Sequence, residues 1–175
     1  MATERFGLIK YSGREQTVVG DDIKVGQKAP EFTIQKTDWL LAKALKETSG
    51  KVRVIAAVPS LDTSVCDRET RRFNEEASSL SKDIVIIVVS MDLPAAQKRW
   101  CGAAGVDQVM TVSDVVKADF GKKYGTLMKE VRLLRRAVFV VDKQGIVTYV
   151  AYMPANSEEP NYPEVLAAAK KALAK

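Results

Sequence analysis

The chain has no histidine and only two cysteines among its 175 residues. Without histidine there is no Ser-His or Cys-His nucleophile pair, no His-ligated zinc or haem, and no imidazole general base. Two cysteines are also too few for a four-cysteine metal site. Any chemistry must therefore use thiols, carboxylates, lysines, arginines and hydroxyls, and we expect neither a metal nor another cofactor.

Long apolar runs and concentrated charge are also missing. No apolar run is long enough to span a membrane, and the N-terminus lacks the basic and apolar regions of a signal peptide. The net charge is +5, and the basic residues are scattered in pairs such as Arg71/Arg72, whereas nucleic-acid binding needs a concentrated basic footprint. We expect a soluble, cytoplasmic protein, in a compartment that keeps thiols reduced, with no nucleic-acid or membrane partner.

Hydrophobic patterning predicts one α/β domain spanning residues 1–175. The chain is 46% hydrophobic and 28% charged, and a domain of this length needs no disulfide to hold its core. The predicted elements are a hairpin within 6–20, an extended segment at 32–34, a helix within 38–50, strands at 52–58 and 84–90, helices within 67–80, 93–105 and 113–125, paired strands within 136–152, and a helix within 161–175. This alternation predicts a central mixed β-sheet flanked by helices on both faces.

Cys66 follows the strand at 52–58, where sites in such folds are usually found. It begins an apolar helix face that continues through Thr70 and Phe73, so it could simply be a small core residue. However, the first turn of a helix favours a thiolate because its backbone N–H groups are unpaired. Thr63 could point its hydroxyl at the same place, or Thr63 or Ser64 could be the helix N-cap.

The spacing Pro59-x-x-x-Thr63-x-x-Cys66 resembles the signature of the peroxiredoxin family. The string VPSLDTSVCDRETRRFNEEA and the later SMDLPAAQKRWCGAAG are similar to the thiol peroxidase branch, the atypical two-cysteine peroxiredoxins. The similarity extends to VGQKAPEFTI, LLRRAVFVVD and EEPNYPEVLAAAK and covers nearly the whole chain. It implies a thioredoxin-like fold with an N-terminal β-hairpin, and an antioxidant peroxidase that acts on hydroperoxides without a cofactor.

The resemblance also implies roles for the residues around Cys66. Cys66 would attack a hydroperoxide and become a sulfenic acid, while Thr63 supplies a hydroxyl and Pro59 shields the sulfur from solvent. An arginine would supply positive charge. Arg135 and Arg136 compete for this role, because successive strand residues face opposite sides of a sheet. Similarity to the family's strand selects Arg136.

Cys101, judged by spacing alone, could be an ordinary thiol next to Trp100. The resemblance instead implies that it forms an intramolecular disulfide with Cys66, that thioredoxin recycles this disulfide, and that the protein is a homodimer. A disulfide needs Cα atoms within about 7 Å, so we expect local unwinding around Cys66 and in residues 97–104. We expect Trp39 and Trp100 to be packing residues.

Two other functions are compatible with a fold of this kind. A disulfide oxidoreductase of the thioredoxin type would need Cys-x-x-Cys, but Cys66 is followed by Asp67, Arg68 and Glu69. The remaining alternative is a non-catalytic interaction or chaperone domain with structural cysteines. Thiol reactivity distinguishes it, because buried structural thiols should not react with dilute peroxide.

Overall fold

Eleven strands and five helices form the fold of this computed structural model, which describes residues 1–175. In chain order they are β1 (Glu4–Tyr11), β2 (Arg14–Val19), β3 (Thr33–Gln35), β4 (Leu41–Lys43), α1 (Ala44–Glu47), β5 (Val52–Ala57), α2 (Ser64–Ala77), β6 (Ile84–Ser90), α3 (Pro94–Ala104), β7 (Met110–Ser113), α4 (Asp119–Lys123), β8 (Leu127–Met128), β9 (Leu133–Leu134), β10 (Ala137–Val141), β11 (Val147–Tyr152) and α5 (Tyr162–Leu173). None of the five helices has both the length and the apolar composition needed to cross a membrane.

The central sheet has seven strands in the order β11-β10-β5-β6-β7-β3-β4. Strands β5, β6 and β7 are parallel, and the pairs on either side of them are antiparallel. Every residue of β5 is buried, as expected for an apolar strand covered on both faces. The mixed sheet confirms the predicted fold class.

Each face of the sheet has its own apolar core, because successive strand residues point to opposite sides. Ile55 and Ala57 of β5 belong to the core that contains α1 and α4. Val54 and Ala56 belong to the other core, which contains α2 and α5. Cys66 lies in this second core.

A smaller sheet, in the order β1-β2-β8-β9, includes the predicted N-terminal hairpin. Its connection to the rest of the fold passes through Gly20, whose φ is +92°. A Cβ atom at Gly20 would lie only 1.9 Å from the carbonyl oxygen of Lys122. Only glycine permits this approach of the two backbones.

The predicted helix within residues 38–50 is largely wrong. The chain turns at Trp39, which has a φ of +70°, and returns as β4, with Leu41 paired to Gln35. Asp38 supports the turn by accepting a hydrogen bond from the Leu40 amide at 3.0 Å. Pairing at the sheet edge therefore overrides the helical pattern, and only α1 remains. The packing prediction for Trp39 is also wrong, since its side chain is 53% exposed.

The predicted helix within residues 113–125 begins later than expected. Ser113, the expected N-cap, instead ends β7, where it pairs with Ser90 of β6. Asp114 accepts hydrogen bonds from the Phe120 and Gly121 amides at 3.0 and 2.8 Å, so the helical turns start only at α4. Strands β7, β8 and β9 were not predicted. In contrast, α3 begins at Pro94 as expected.

Candidate active site

Cys66 lies in the first turn of α2, just beyond the carboxyl end of β5. The loop between them is fixed by Asp92, which follows β6. The Asp92 carboxylate accepts hydrogen bonds from the Ser60 hydroxyl at 2.7 Å and the Leu61 amide at 2.9 Å. The ends of two parallel strands therefore position the start of α2.

The Cys66 side chain is completely buried, yet two polar donors reach its sulfur. Thr63 Oγ1 is 2.8 Å from Cys66 Sγ, and Arg136 Nη2 is 3.1 Å from it. A cysteine that only filled the core would leave such donors without good acceptors. A hydroxyl and a guanidinium can both donate hydrogen bonds to a sulfur that carries negative charge.

Thr63 occupies the N-cap position of α2, but its side chain does not cap the helix. Its Oγ1 instead lies 2.9 Å from the carbonyl oxygen of Ser60 as well as near the sulfur of Cys66. A hydroxyl has one hydrogen to donate, so Thr63 can donate to only one of these two acceptors at a time. The choice between them depends on whether the sulfur is protonated.

Arg136 comes directly before β10, and Ala137 of β10 pairs with Ala57 at the end of β5. This register brings Arg136 to the end of the sheet where α2 starts. The carbonyl oxygen of Asn156 accepts hydrogen bonds from Arg136 Nε at 3.1 Å and Nη2 at 2.9 Å. The side-chain oxygen of Asn156 accepts one from the Arg136 amide at 2.9 Å. These contacts fix the guanidinium beside the thiol.

Arg135 faces the other core. Its Nε donates to the Gly125 carbonyl at 2.8 Å, its guanidinium forms an ion pair with Asp22, and it lies 4.0 Å from the centre of the Tyr152 ring. Only one of the two adjacent arginines can therefore reach Cys66, and in this structure it is Arg136.

Glu69 is a further component that sequence reasoning missed. It is fully buried one turn after Cys66 and forms an ion pair with Arg136. Burial raises the pKa of Glu69 to about 7, although Arg136 acts in the opposite direction. Burial lowers the pKa of Arg136, whereas Glu69 and Cys66 raise it, and the net shift is upward. A carboxylate three positions after Cys66 on the apolar face was the available signal. Asn156 offered none.

A cavity of about 300 Å³ adjoins the site, and its lining includes Thr63 and Arg136, which contact Cys66, but not the buried Cys66 itself. It is lined by Lys10, Tyr11 and Ser12 at the β1–β2 turn, by Pro59, Thr63, Ser64 and Val65 around the start of α2, and by Arg136, Ala155, Asn156 and Ser157. The N-terminal hairpin thus contributes to the site. A small hydroperoxide that enters this cavity meets Thr63 and Arg136 directly.

Cys101 is separate from this group. It lies on α3, and its sulfur is 3.4 Å from Thr111 Oγ1. Both cysteines are free thiols. Two hydrogen bonds join α2 and α3: Trp100 Nε1 donates to Asp67 at 3.0 Å, and Arg71 donates to the Ala104 carbonyl at 3.1 Å. The structure therefore brings together Pro59, Thr63, Cys66 and Arg136, but not Cys101.

Comparison with known proteins identifies the family of this chain. The family model for redoxins matches residues 24–166. The chain belongs to the redoxin family. A thiol peroxidase from Oceanobacillus iheyensis is 52% identical to this redoxin over 90% of the chain and 95% of the relative. A thiol peroxidase from Bacillus subtilis is 48% identical over 93% of the chain and 96% of the relative.

Solved structures show the same relationship. A peroxiredoxin-like protein from Aquifex aeolicus has a TM-score of 0.84 and 39% identity, with 95% of this redoxin and 98% of that chain covered. A thiol peroxidase from Chromobacterium violaceum has a TM-score of 0.80 over 95% of this redoxin and 97% of that chain, and at 21% identity it supports the fold alone. The thioredoxin-like fold is confirmed. Like these relatives, the redoxin is a thiol-dependent peroxidase. None of these relatives supports the alternative of a non-catalytic domain.

Proposed function

We propose that this redoxin reduces hydrogen peroxide and organic hydroperoxides with Cys66 as the attacking thiolate. The observation that carries the proposal is the convergence of Thr63 Oγ1 and Arg136 Nη2 on a fully buried sulfur. Pro59 lines the adjoining cavity together with Thr63 and Arg136, consistent with a shielding role. No metal or other cofactor takes part in the reaction.

In the first step, the Cys66 thiolate attacks one oxygen of the hydroperoxide. A sulfur–oxygen bond forms, the oxygen–oxygen bond breaks, and its electron pair moves to the leaving oxygen, which takes up a proton and departs as water or an alcohol. Negative charge thus passes from sulfur to oxygen. Donors held at fixed positions, such as Arg136 Nη2 and Thr63 Oγ1, can stabilise this charge without reorganisation.

In the second step, the Cys101 thiolate attacks the sulfenic acid sulfur of Cys66. A disulfide forms and the hydroxyl group leaves as water after taking up a proton. Cys101 makes no contact with Cys66 in the folded thiol form, so the first turn of α2 and part of α3 must unwind. A dithiol protein of the thioredoxin type then reduces the disulfide and restores both thiols.

We also propose that residues 1–175 act as one domain, in a homodimer, in the cytoplasm. The redox cycle supports this location, because the disulfide must be reduced after every turnover. Leu93 and Val116 support the homodimer. Both are exposed apolar residues, and a hydrogen bond of 2.6 Å from Ser113 Oγ to the Asp92 carbonyl joins the segments that carry them.

The intact mass of the protein tests this cycle. Fully reduced protein should lose two hydrogens after one equivalent of hydrogen peroxide is added, and non-reducing peptide mapping should show a Cys66–Cys101 cross-link. Cys101→Ser should still be oxidised once, at Cys66, but should form no intramolecular cross-link. An unchanged wild-type mass, after an exposure in which ordinary thiols react, would contradict the proposed function.

A further inference from the structure

Cys101 opens onto a second cavity, of about 280 Å³, which is lined by residues of α3, of β7 and of the segment that follows β3. Its lining includes Lys36, Thr37, Lys98, Val109 and Thr111 together with Cys101. Cys66 is completely buried, whereas Cys101 is partly exposed. In the dithiol form, Cys101 is therefore the more accessible of the two cysteines.

An apolar surface lies beside this cavity, on residues 36–41, which comprise the turn between β3 and β4 and the first residue of β4 and are called the β3–β4 turn below. Trp39, Leu40 and Leu41 are consecutive, and their side chains are 53%, 62% and 55% exposed. The turn is well ordered by hydrogen bonds, since the Lys36 amide donates to the Leu40 carbonyl at 2.9 Å and the Trp39 amide to the Lys36 carbonyl at 2.8 Å. Consecutive exposed apolar residues of this kind are typical of interaction sites.

The charged side chains that line the cavity have one sign, whereas the adjacent turn carries one acidic residue, Asp38, which accepts a hydrogen bond from the Leu40 amide. The cavity lining contains two lysines and no acidic residue. Lys36 is only loosely paired, 3.6 Å from Glu47, and Lys98 forms no ion pair. An apolar patch with two adjacent cations fits a partner whose contact surface is apolar and acidic.

We propose that the β3–β4 turn and Lys98 are the docking surface for the dithiol protein that reduces the Cys66–Cys101 disulfide, and that this protein attacks Cys101. This inference rests on the proposed function. An external dithiol is needed because the disulfide contains both cysteines of the chain. The partner is a small reductase of the thioredoxin type with an apolar, acidic surface around its reactive thiol.

The direction of attack follows from the two sulfur environments. A thiolate of the partner bonds to Cys101 Sγ, the disulfide breaks, and its electron pair goes to Cys66 Sγ. Cys66 is the better leaving group, because Thr63 and Arg136 stabilise its thiolate as α2 refolds. The partner's second thiol, deprotonated, then attacks the mixed disulfide. Cys101 leaves as a thiolate, and the partner becomes a disulfide.

The β3–β4 turn lies outside the segments that unwind, whereas Lys98 lies on α3, in the segment that is expected to unwind with Cys101. Disulfide formation displaces the first turn of α2 and part of α3, whereas the β3–β4 turn belongs to the edge of the central sheet. A partner can therefore bind to a fixed platform while Cys101 moves within its reach.

The experiment compares two reductants in steady-state turnover of hydrogen peroxide: a bacterial thioredoxin with its reductase and NADPH, and dithiothreitol. Trp39→Asn removes the ring while asparagine tolerates the positive φ, and Lys98→Glu reverses a charge. Phe6→Thr and Lys82→Glu are matched controls, at an exposed apolar residue and an exposed lysine elsewhere. For each test variant, kcat/KM for thioredoxin should fall about tenfold, the size expected from loss of an interface anchor. Turnover with dithiothreitol, and both controls, should stay within about twofold of wild type.

Three outcomes would overturn the inference. The first is an unchanged kcat/KM for thioredoxin in both test variants. The second is a mixed disulfide at Cys66 when thioredoxin lacking its second thiol is used as a trap. The third is a change in oligomeric state of Trp39→Asn, which would make the patch a contact between copies. Failure of the wild-type protein to form the Cys66–Cys101 disulfide would instead reject the proposed function itself.

Discussion

The single hydrogen of the Thr63 hydroxyl links the protonation state of Cys66 to the loop before α2. When the sulfur is a thiol, Thr63 can donate to the Ser60 carbonyl at 2.9 Å and accept from the S–H group. When the sulfur is a thiolate, the hydroxyl turns and donates to it. Deprotonation therefore rearranges a hydrogen bond that is already within reach, which limits the reorganisation needed before attack on peroxide.

Replacement of Arg136 by lysine should distinguish the effect of its positive charge from the effect of its guanidinium contacts. Arg136→Lys keeps a positive charge but cannot contact Glu69, Asn156 and Cys66 together, as the guanidinium does. We expect the second-order rate constant for hydrogen peroxide to fall by about 10²–10³, the range found for loss of a fixed donor at a reacting centre. Stopped-flow measurement of Cys66 oxidation checks this.

Arg135→Lys is the matched control, because this neighbour faces the opposite core. Its peroxide rate constant should stay within about threefold of wild type, since its contacts are with Asp22 and Gly125. Equal losses in the two variants would mean that general destabilisation, and not a role at the thiol, explains the effect.

Glu69 should make folding stability depend on pH. Burial raises its pKa to about 7 in the folded protein, from an ordinary value of 4.5. Between these values the folded protein holds a proton that the unfolded chain has lost, so the contribution of Glu69 to stability is present at low pH and is lost as the pH rises through 7.

Urea unfolding of the reduced protein at pH 5, 6 and 7 measures this effect. The free energy of unfolding of the wild type should decrease over this range more than that of Glu69→Gln, which has no titrating group at the position. Parallel pH profiles for the two proteins would contradict the raised pKa.

At the scale of elements, α2 was the most predictable part of the site. Its apolar face and the position of Cys66 in its first turn are local features of the sequence, and the structure has both. Arg135 and Arg136, directly before β10, point to opposite faces of the sheet. Strand alternation alone does not show which of the two faces Cys66. Glu69 and Asn156 depend on contacts between distant segments, so no local pattern indicates their partners. The helix predictions at 38–50 and 113–125 were inaccurate for the same reason. Strand pairing between β3 and β4, and between β6 and β7, determines the conformation at the start of these segments.

The contacts between α2 and α3 should control how quickly the disulfide forms. Trp100→Phe keeps an aromatic ring but removes the hydrogen bond to Asp67. Loss of one such bond weakens the folded arrangement by about 0.5–1.5 kcal/mol, so unwinding should become about two- to tenfold more favourable. The sulfenic acid would then be trapped as a disulfide more often, before a second peroxide oxidises it to sulfinic acid.

Mass spectrometry of Cys66 after turnover with dithiothreitol and excess peroxide measures this competition. Trp100→Phe should accumulate less sulfinic acid per turnover than the wild type. Trp39→Phe is the control, since Trp39 lies on the β3–β4 turn and has no part in the α2–α3 contacts. More sulfinic acid in Trp100→Phe than in wild type would show that this contact does not restrain unwinding.

At the scale of the whole molecule, the N-terminal hairpin is connected to the rest of the fold at Gly20, where the backbone approaches α4 closely. Gly20→Ala places a Cβ 1.9 Å from the Lys122 carbonyl oxygen at a positive φ, so the backbones must separate. We expect a loss of about 3 kcal/mol or more in the free energy of unfolding, from strain and overlap together. The displaced hairpin would also raise KM for cumene hydroperoxide, because its turn lines the active-site cavity.

Gly13→Ala distinguishes backbone strain from steric overlap as the cause of the loss in stability. Gly13 also has a positive φ, of +76°, but no atom lies within 4 Å of the added Cβ. Its cost should be limited to the backbone strain of about 1–2 kcal/mol. Similar unfolding free energies for the two variants, measured by urea titration, would mean that the close approach at Gly20 adds nothing.

Because Trp100 is hydrogen-bonded to Asp67, its fluorescence should also report the redox state of the protein. Indole emission shifts with local polarity and is quenched by nearby groups, and this indole lies next to one cysteine of the cycle while its carboxylate partner lies next to the other. With Trp39 replaced by phenylalanine, Trp100 would be the sole fluorophore of its kind. Its signal would then follow each unwinding and refolding of the helices in real time, without an attached dye.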